Sequence, residues 1–164
     1  MQVIKSSRHQ KIIGNFGENL ICNWLSRSGF EVAVVDHTGL DLIAYNPSTS
    51  LRIGVTVKSR TRTAGTEQTS VTVFQSRNRD RQKLLDACEA FACEPWIAIY
   101  VETEDSADVF LTSLDNYDTT YCPQQQRAVD SWKMREKDQV LYAKDPCVKH
   151  IRISFNGSSW NWEP

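Results

Sequence analysis

The run from Gly39 to Arg62, GLDLIAYNPSTSLRIGVTVKSRTR, constrains the fold of this chain more than any other segment. Two apolar stretches, Leu40 to Tyr45 and Leu51 to Lys58, flank the turn-forming cluster Asn46-Pro47-Ser48-Thr49-Ser50. Such an arrangement predicts an antiparallel hairpin. Side chains alternate along a strand, so Ile53, Val55 and Val57 share one face of the second strand while Arg52, Gly54, Thr56 and Lys58 share the other. The hairpin brings a carboxylate, Asp41, toward a lysine, Lys58, with Thr56 beside it and Arg60 and Arg62 directly beyond.

The flanking sequence predicts what packs on that hairpin. From Ile12 to Arg27, Ile13, Phe16, Leu20 and Trp24 recur at helical spacing, Ile21 and Leu25 widen the stripe, and Ser28-Gly29 ends the helix. Glu18 lies about 20° from Leu25 and about 60° from Ile21 on the helical wheel, at the border of the buried face. A carboxylate there is costly unless it is paired or reaches water. Phe30 to Val35 is a strand preceding the hairpin, Thr61 to Ser70 a mobile polar loop, and Val71 to Phe74 a short strand. A helix from Ser76 to Ala92, with Leu84, Leu85, Cys88 and Phe91 inward, is followed by the buried strand Trp96 to Val101. Strand, helix and strand in that order imply a parallel crossover. Val109 to Leu114 reads as an edge strand, Asp115 to Gln126 as turn and loop, and Arg127 to Lys137 as a short helix. Val140 to Ala143 and His150 to Phe155 read as a closing hairpin.

The expectation is one α/β domain over residues 1–164, with a core over about 12–114 and a C-terminal extension over 115–164. Nothing approaches the roughly 20 apolar residues that span a bilayer, and the N-terminus lacks a signal peptide's apolar segment, so a cytoplasmic protein is expected. The five cysteines form no Cys-x-x-Cys pair and, with His9, His37 and His150, no recognisable zinc spacing; reduced structural thiols are expected. Net charge is −1, but residues 52–83 carry eight cations against Glu67 and Asp80, a local net of +6. That stripe, Arg60, Arg62, Arg77, Arg79, Arg81 and Lys83 in particular, is the electrostatic footprint of a phosphate-binding surface, although a merely solvated face has the same composition.

The ordered set of Gly14 to Glu18, Ser28 to Val32, Gly39 to Ala44, Val55 to Arg60 and Asp80 to Ala98 resembles the PD-(D/E)XK nuclease superfamily, and within it the archaeal-type Holliday junction resolvases. The resemblance implies a restriction endonuclease-like core: helix, three-strand antiparallel meander, helix, parallel strand. It implies a DNA endonuclease using Mg²⁺ or Mn²⁺, with Asp41 and the Val57 carbonyl as ligands, Lys58 orienting the attacking water, and Glu18 acting from the helix. It also implies a homodimer. Two positions depart from the pattern: Leu40 stands where a proline is usual, and Thr56 replaces the second carboxylate. A threonine hydroxyl can ligate a hard cation but brings no charge. Glu18 could then serve as a direct ligand, Asp36 or Glu102 could approach, or the site could be inactive. Beside the nuclease stand two other readings: a degenerate DNA-binding module, and an interaction protein using Trp160 and Trp162 of the aromatic tail.

Overall fold

The computed structural model describes residues 3–122 and 128–156. Its elements are α1 (His9–Arg27), β1 (Glu31–His37), β2 (Leu40–Asn46), β3 (Leu51–Thr61), β4 (Val71–Gln75), α2 (Asp80–Ala90), β5 (Glu94–Glu102), β6 (Ser106–Ser113), α3 (Leu114–Asn116), β7 (Val129–Trp132), α4 (Glu136–Lys144) and β8 (Lys149–Ser154). Six strands form one sheet in the order β1-β2-β3-β5-β6-β8, and β4 pairs with β7 in a separate ribbon. β1, β2 and β3 pair antiparallel; β3 and β5 are parallel across α2. Among the described residues, no helix is long and apolar enough to cross a membrane.

β3 is central, which is why it reads as buried on both faces from Ile53 to Val57. On one face Ile53, Val55 and Val57 pack with Ile13, Ile21 and Leu25 of α1. On the other, α2, the β4–β7 ribbon and α4 enclose Leu84, Cys88, Phe110, Trp132 and Tyr142. The buried row of α1 is Ile13, Gly17, Ile21 and Leu25, a strict four-residue spacing; Phe16 is left 49% exposed. Gly17 sits in that row because a Cβ there would come within 2.1 Å of Ser59 Oγ. The inner face of α2 is Leu84, Ala87 and Cys88, whereas Leu85 and Phe91 are exposed. Residues Ser76–Asn78 form a 3₁₀ turn, and Arg79 takes a left-handed conformation before α2 proper begins.

The C-terminal third departs from the sequence expectation at several points. β6 is internal, covered on its far side by β8, so Val109 to Leu114 is no edge strand. After α3 the chain makes a π-helical turn over Tyr117–Tyr121 where a loop was expected. Val129–Trp132 is a strand because pairing with β4 buries Asp130 and Trp132, a period of two that a charge-rich window masked. The helix comes later, and Val140 to Ala143 belong to it. β8 pairs with β6 and not with that segment, because the free edge of β6 offers a full ladder. Trp160 and Trp162 lie outside the described residues. All five cysteines are free thiols, and burial pushes the Cys88 pKa up to about 12.

The start of β2 is fixed against α2 by Gly39, whose φ is +99°; a Cβ there would meet the Lys83 carbonyl oxygen at 2.4 Å. Gly39→Ala combines left-handed backbone strain with a backbone clash, and we expect it to destabilise the fold by about 2–4 kcal/mol in denaturant melts.

Candidate active site

The β2–β3 ladder ends at the Leu42–Val55 pair. Continued by one residue it would set Asp41 opposite Thr56, but the strands separate there. The Val57 N–H, facing the gap, needs a partner because orphaned backbone donors are costly. Asp41 supplies it: Val57 N donates to Asp41 Oδ2 at 2.6 Å. Thr56 Oγ1 donates to the same oxygen at 3.2 Å and accepts from Lys58 Nζ at 3.2 Å. Lysine, threonine and aspartate thus form one hydrogen-bonded chain. In an extended strand the N–H and C=O of one residue point to the same edge, so the Val57 carbonyl also faces the gap.

Glu18 joins from the opposite face of the sheet. The close approach of α1 at Gly17 and Ser59 brings the next residue to the level of Lys58. Glu18 is half-buried, and its pKa is raised first by burial and then by the negative charge of Asp41; Lys58 pulls it down, and Asp36 pushes it up. The electrostatics therefore place Glu18, Asp41 and Lys58 in one field. Glu102 does not take part. It accepts from Thr61 Oγ1 and from Tyr100 OH, each at 2.6 Å, in a network that includes His9, 2.6 Å from the Thr61 hydroxyl. The sequence reading missed both this network and the Gly17–Ser59 approach; a glycine inside an apolar helical stripe, directly before Glu18, was the available signal.

The basic stripe divides in three dimensions. Arg60, Arg77 and Arg79 are exposed and Lys83 is partly so. Arg62 is buried: its Nη2 donates to the carbonyls of Thr69 and Ser70, pinning the loop that was expected to be mobile. Burial, followed by the nearby Arg60 charge, lowers its pKa. Arg81 is committed to Asp118 at 2.7 Å and Asp130 at 3.0 Å and lies over the Phe74 ring at 4.7 Å. Burial acts to lower its pKa, but the hydrogen bonds to the two carboxylates outweigh it and the net shift is upward. Arg62 and Arg81 thus hold the structure together at places where the sequence suggested phosphate contacts. Phe74 is 3% exposed and belongs to the core.

Among the described residues, no three His, Cys, Asp or Glu side chains converge as a metal cage. Magnesium does not require one, since it is commonly held by one or two carboxylates, waters and substrate phosphate. Asp41, Glu18, the Thr56 hydroxyl and the Val57 carbonyl offer hard oxygen atoms of the type Mg²⁺ or Mn²⁺ takes; Thr56 contacts Asp41 directly, and Glu18 feels the charge of Asp41 and Lys58.

No family model matches the chain, and no curated protein is significantly similar to it. Solved structures are similar. One is Archaeoglobus fulgidus Hjc, a Holliday junction resolvase from an archaeal hyperthermophile. It superposes with a TM-score of 0.51 at 16% identity, over 78% of this chain and 88% of that one. The likeness is one of fold, a mixed α/β arrangement about a central sheet.

Two outcomes follow from the site's energetics. A carboxyl whose pKa is raised on folding takes up its proton more readily in the folded state, so its contribution to stability falls as pH rises from the ordinary glutamate range through the raised value. Glu18→Gln should therefore raise Tm at pH 7, by a gain within about 1 kcal/mol for a half-exposed group, and the gain should vanish at acid pH. Arg81→Ala leaves two carboxylates unpaired and should cost about 2–3 kcal/mol in a thermal melt, against less than about 0.5 for the exposed Arg77→Ala.

Proposed function

We propose that the protein is a metal-dependent DNA endonuclease. The observation that carries the reading is the arrangement of Asp41 from β2, Lys58 from β3 and Glu18 from α1 about the gap where β2 leaves β3. The metal, Mg²⁺ or Mn²⁺, would polarise the scissile phosphate and lower the pKa of a water when bound. Asp41 and Glu18 would hold it, with the Val57 carbonyl as a neutral donor. Glu18 replaces the charge that Thr56 does not provide. Lys58 presents its ammonium to the phosphate, orients the attacking water and offsets the charge that develops on the phosphate oxygens. Thr56 keeps Lys58 and Asp41 in register through its two hydrogen bonds. Arg60, Arg77, Arg79 and Lys83 contact phosphates without reading sequence, so recognition is of shape. The shared fold with a junction resolvase supports branched DNA as a candidate substrate beside duplex.

A second reading has its own support. A carboxylate at position 56 would face Asp41 and need a cation between them. The Thr56 hydroxyl brings no charge and instead bridges the Lys58 ammonium to Asp41 through two hydrogen bonds. That is the arrangement expected of a nuclease fold retained for DNA binding alone.

Cleavage of labelled duplex, single-strand and four-way-junction DNA with Mn²⁺ and with Mg²⁺ separates the two. We expect native protein to cut at least one substrate, Asp41→Ala to lose at least 100-fold in rate, and Thr56→Glu to melt lower in metal-free buffer and recover with Mn²⁺. Binding without cleavage by native protein, with cleavage gained by Thr56→Glu, would establish the binding module. No binding and no cleavage by any variant would overturn both.

A further inference from the structure

The first seventeen residues carry Lys5, Arg8 and Lys11 and no acid. The fold places this segment with care. Lys5 Nζ donates to the carbonyl of Thr61, and His9 Nε2 lies 2.6 Å from Thr61 Oγ1, so the start of α1 is tied to the last residue of β3. Thr61 is three residues beyond Lys58, about 10 Å along an extended strand. Lys5, Arg8 and Lys11 are all exposed, and among the described residues none of them pairs with a carboxylate. Glu102, one of the acids near this segment, accepts from Thr61 and Tyr100, and Val3 lines a cavity with Glu67, Glu104 and Asp105. Arg8 occupies the N-cap position of α1 and makes no capping bond, so its side chain is not used for the helix.

The other cluster lies across the sheet at the same end. β3 runs toward Thr61, α2 returns, and β5 runs parallel to β3. The first turn of α2, with Arg77, Arg79 and Lys83 around it, is therefore at the Thr61 end, and the contact of Gly39 with the Lys83 backbone holds it beside the start of β2. α1 covers one face of the sheet and α2 the other. The gap holding Asp41, Thr56 and Lys58 opens between them.

We propose that Lys5, Arg8 and Lys11 form a second phosphate-binding arm, so that a nucleic-acid duplex is held from both faces of the sheet across the ends of β3 and β5. The proposal rests on the nuclease-fold DNA-binding reading above and adds the partner's form. Helices on opposite faces of one sheet are separated by two layer spacings, about 20 Å at roughly 10 Å per layer. A duplex presents two phosphate rows, one for each arm, whereas a single strand presents only one row. Charge complementarity supports the same occupant: six cations in two arms, with no carboxylate partner among the described residues, and Asp41 and Lys58 between them.

The test is fluorescence anisotropy of a labelled duplex and a labelled single strand, in EDTA so that no cleavage intervenes, between about 50 and 200 mM salt. Native protein is compared with Lys5→Ala/Arg8→Ala/Lys11→Ala, with Arg8→Ala/Lys11→Ala, which removes no side-chain hydrogen bond or ion pair among the described residues, and with Arg77→Ala/Arg79→Ala. We expect each to weaken duplex binding at least tenfold. The salt slope should fall by about 0.9 for each phosphate contact removed. Full duplex affinity and slope in both N-terminal variants, with loss only in Arg77→Ala/Arg79→Ala, overturns the second arm and leaves the DNA-binding reading standing. Equal losses on single strand and duplex overturn the assignment of a duplex. If native protein binds neither DNA at 50 mM salt, the second arm and the reading beneath it fall together.

Discussion

The interaction on which the site depends is the hydrogen bond from the Val57 N–H to Asp41. Where β2 leaves β3, the ladder loses a strand on one side, and a backbone donor facing that gap must be satisfied by something other than a neighbouring strand. The Asp41 carboxylate does this and thereby becomes fixed, with Oδ2 taking two hydrogen bonds. A charge is held at the rim of the sheet for a structural reason, where β2 and β3 separate. Thr56 and Lys58 follow from it, since the chain of hydrogen bonds runs from lysine through threonine to that carboxylate.

The approach of α1 is the second condition. The helix sits low on β3 only because position 17 has no side chain and meets Ser59 directly. This carries Glu18 into the field of Asp41 and Lys58 at a cost, expressed as its raised pKa. A carboxylate kept partly buried beside another is unfavourable for the fold. The far face is built differently. There Arg81 links α2 to Asp118 and Asp130 of the C-terminal segments, and an aromatic cluster around Trp132 closes the core. That part of the chain is a buttress for α2, which in turn presents Arg77, Arg79 and Lys83 at the same end as the site.

The sequence by itself determined the β2–β3 hairpin, the parallel crossover through α2, and the convergence of Asp41, Thr56 and Lys58, because each follows from short-range periodicity: a turn cluster, alternation along one strand, and an apolar strand after a helix. It also placed Glu18 at the border of a buried face. Tertiary structure alone decided the rest. Arg62 and Arg81 read as surface cations in the sequence and are internal ties, because burial depends on partners such as Thr69, Asp118 and Asp130 that lie from seven to 49 positions away. The strand at Val129–Trp132 exists because β4 is there to pair with it, and the free edge of β6 made β8 its partner. The N-terminal cations acquired meaning only when Lys5 and His9 were tied to Thr61. Local pattern specifies which elements form; which groups meet across them is settled by packing, where no residue's neighbours can be read from its own stretch of chain.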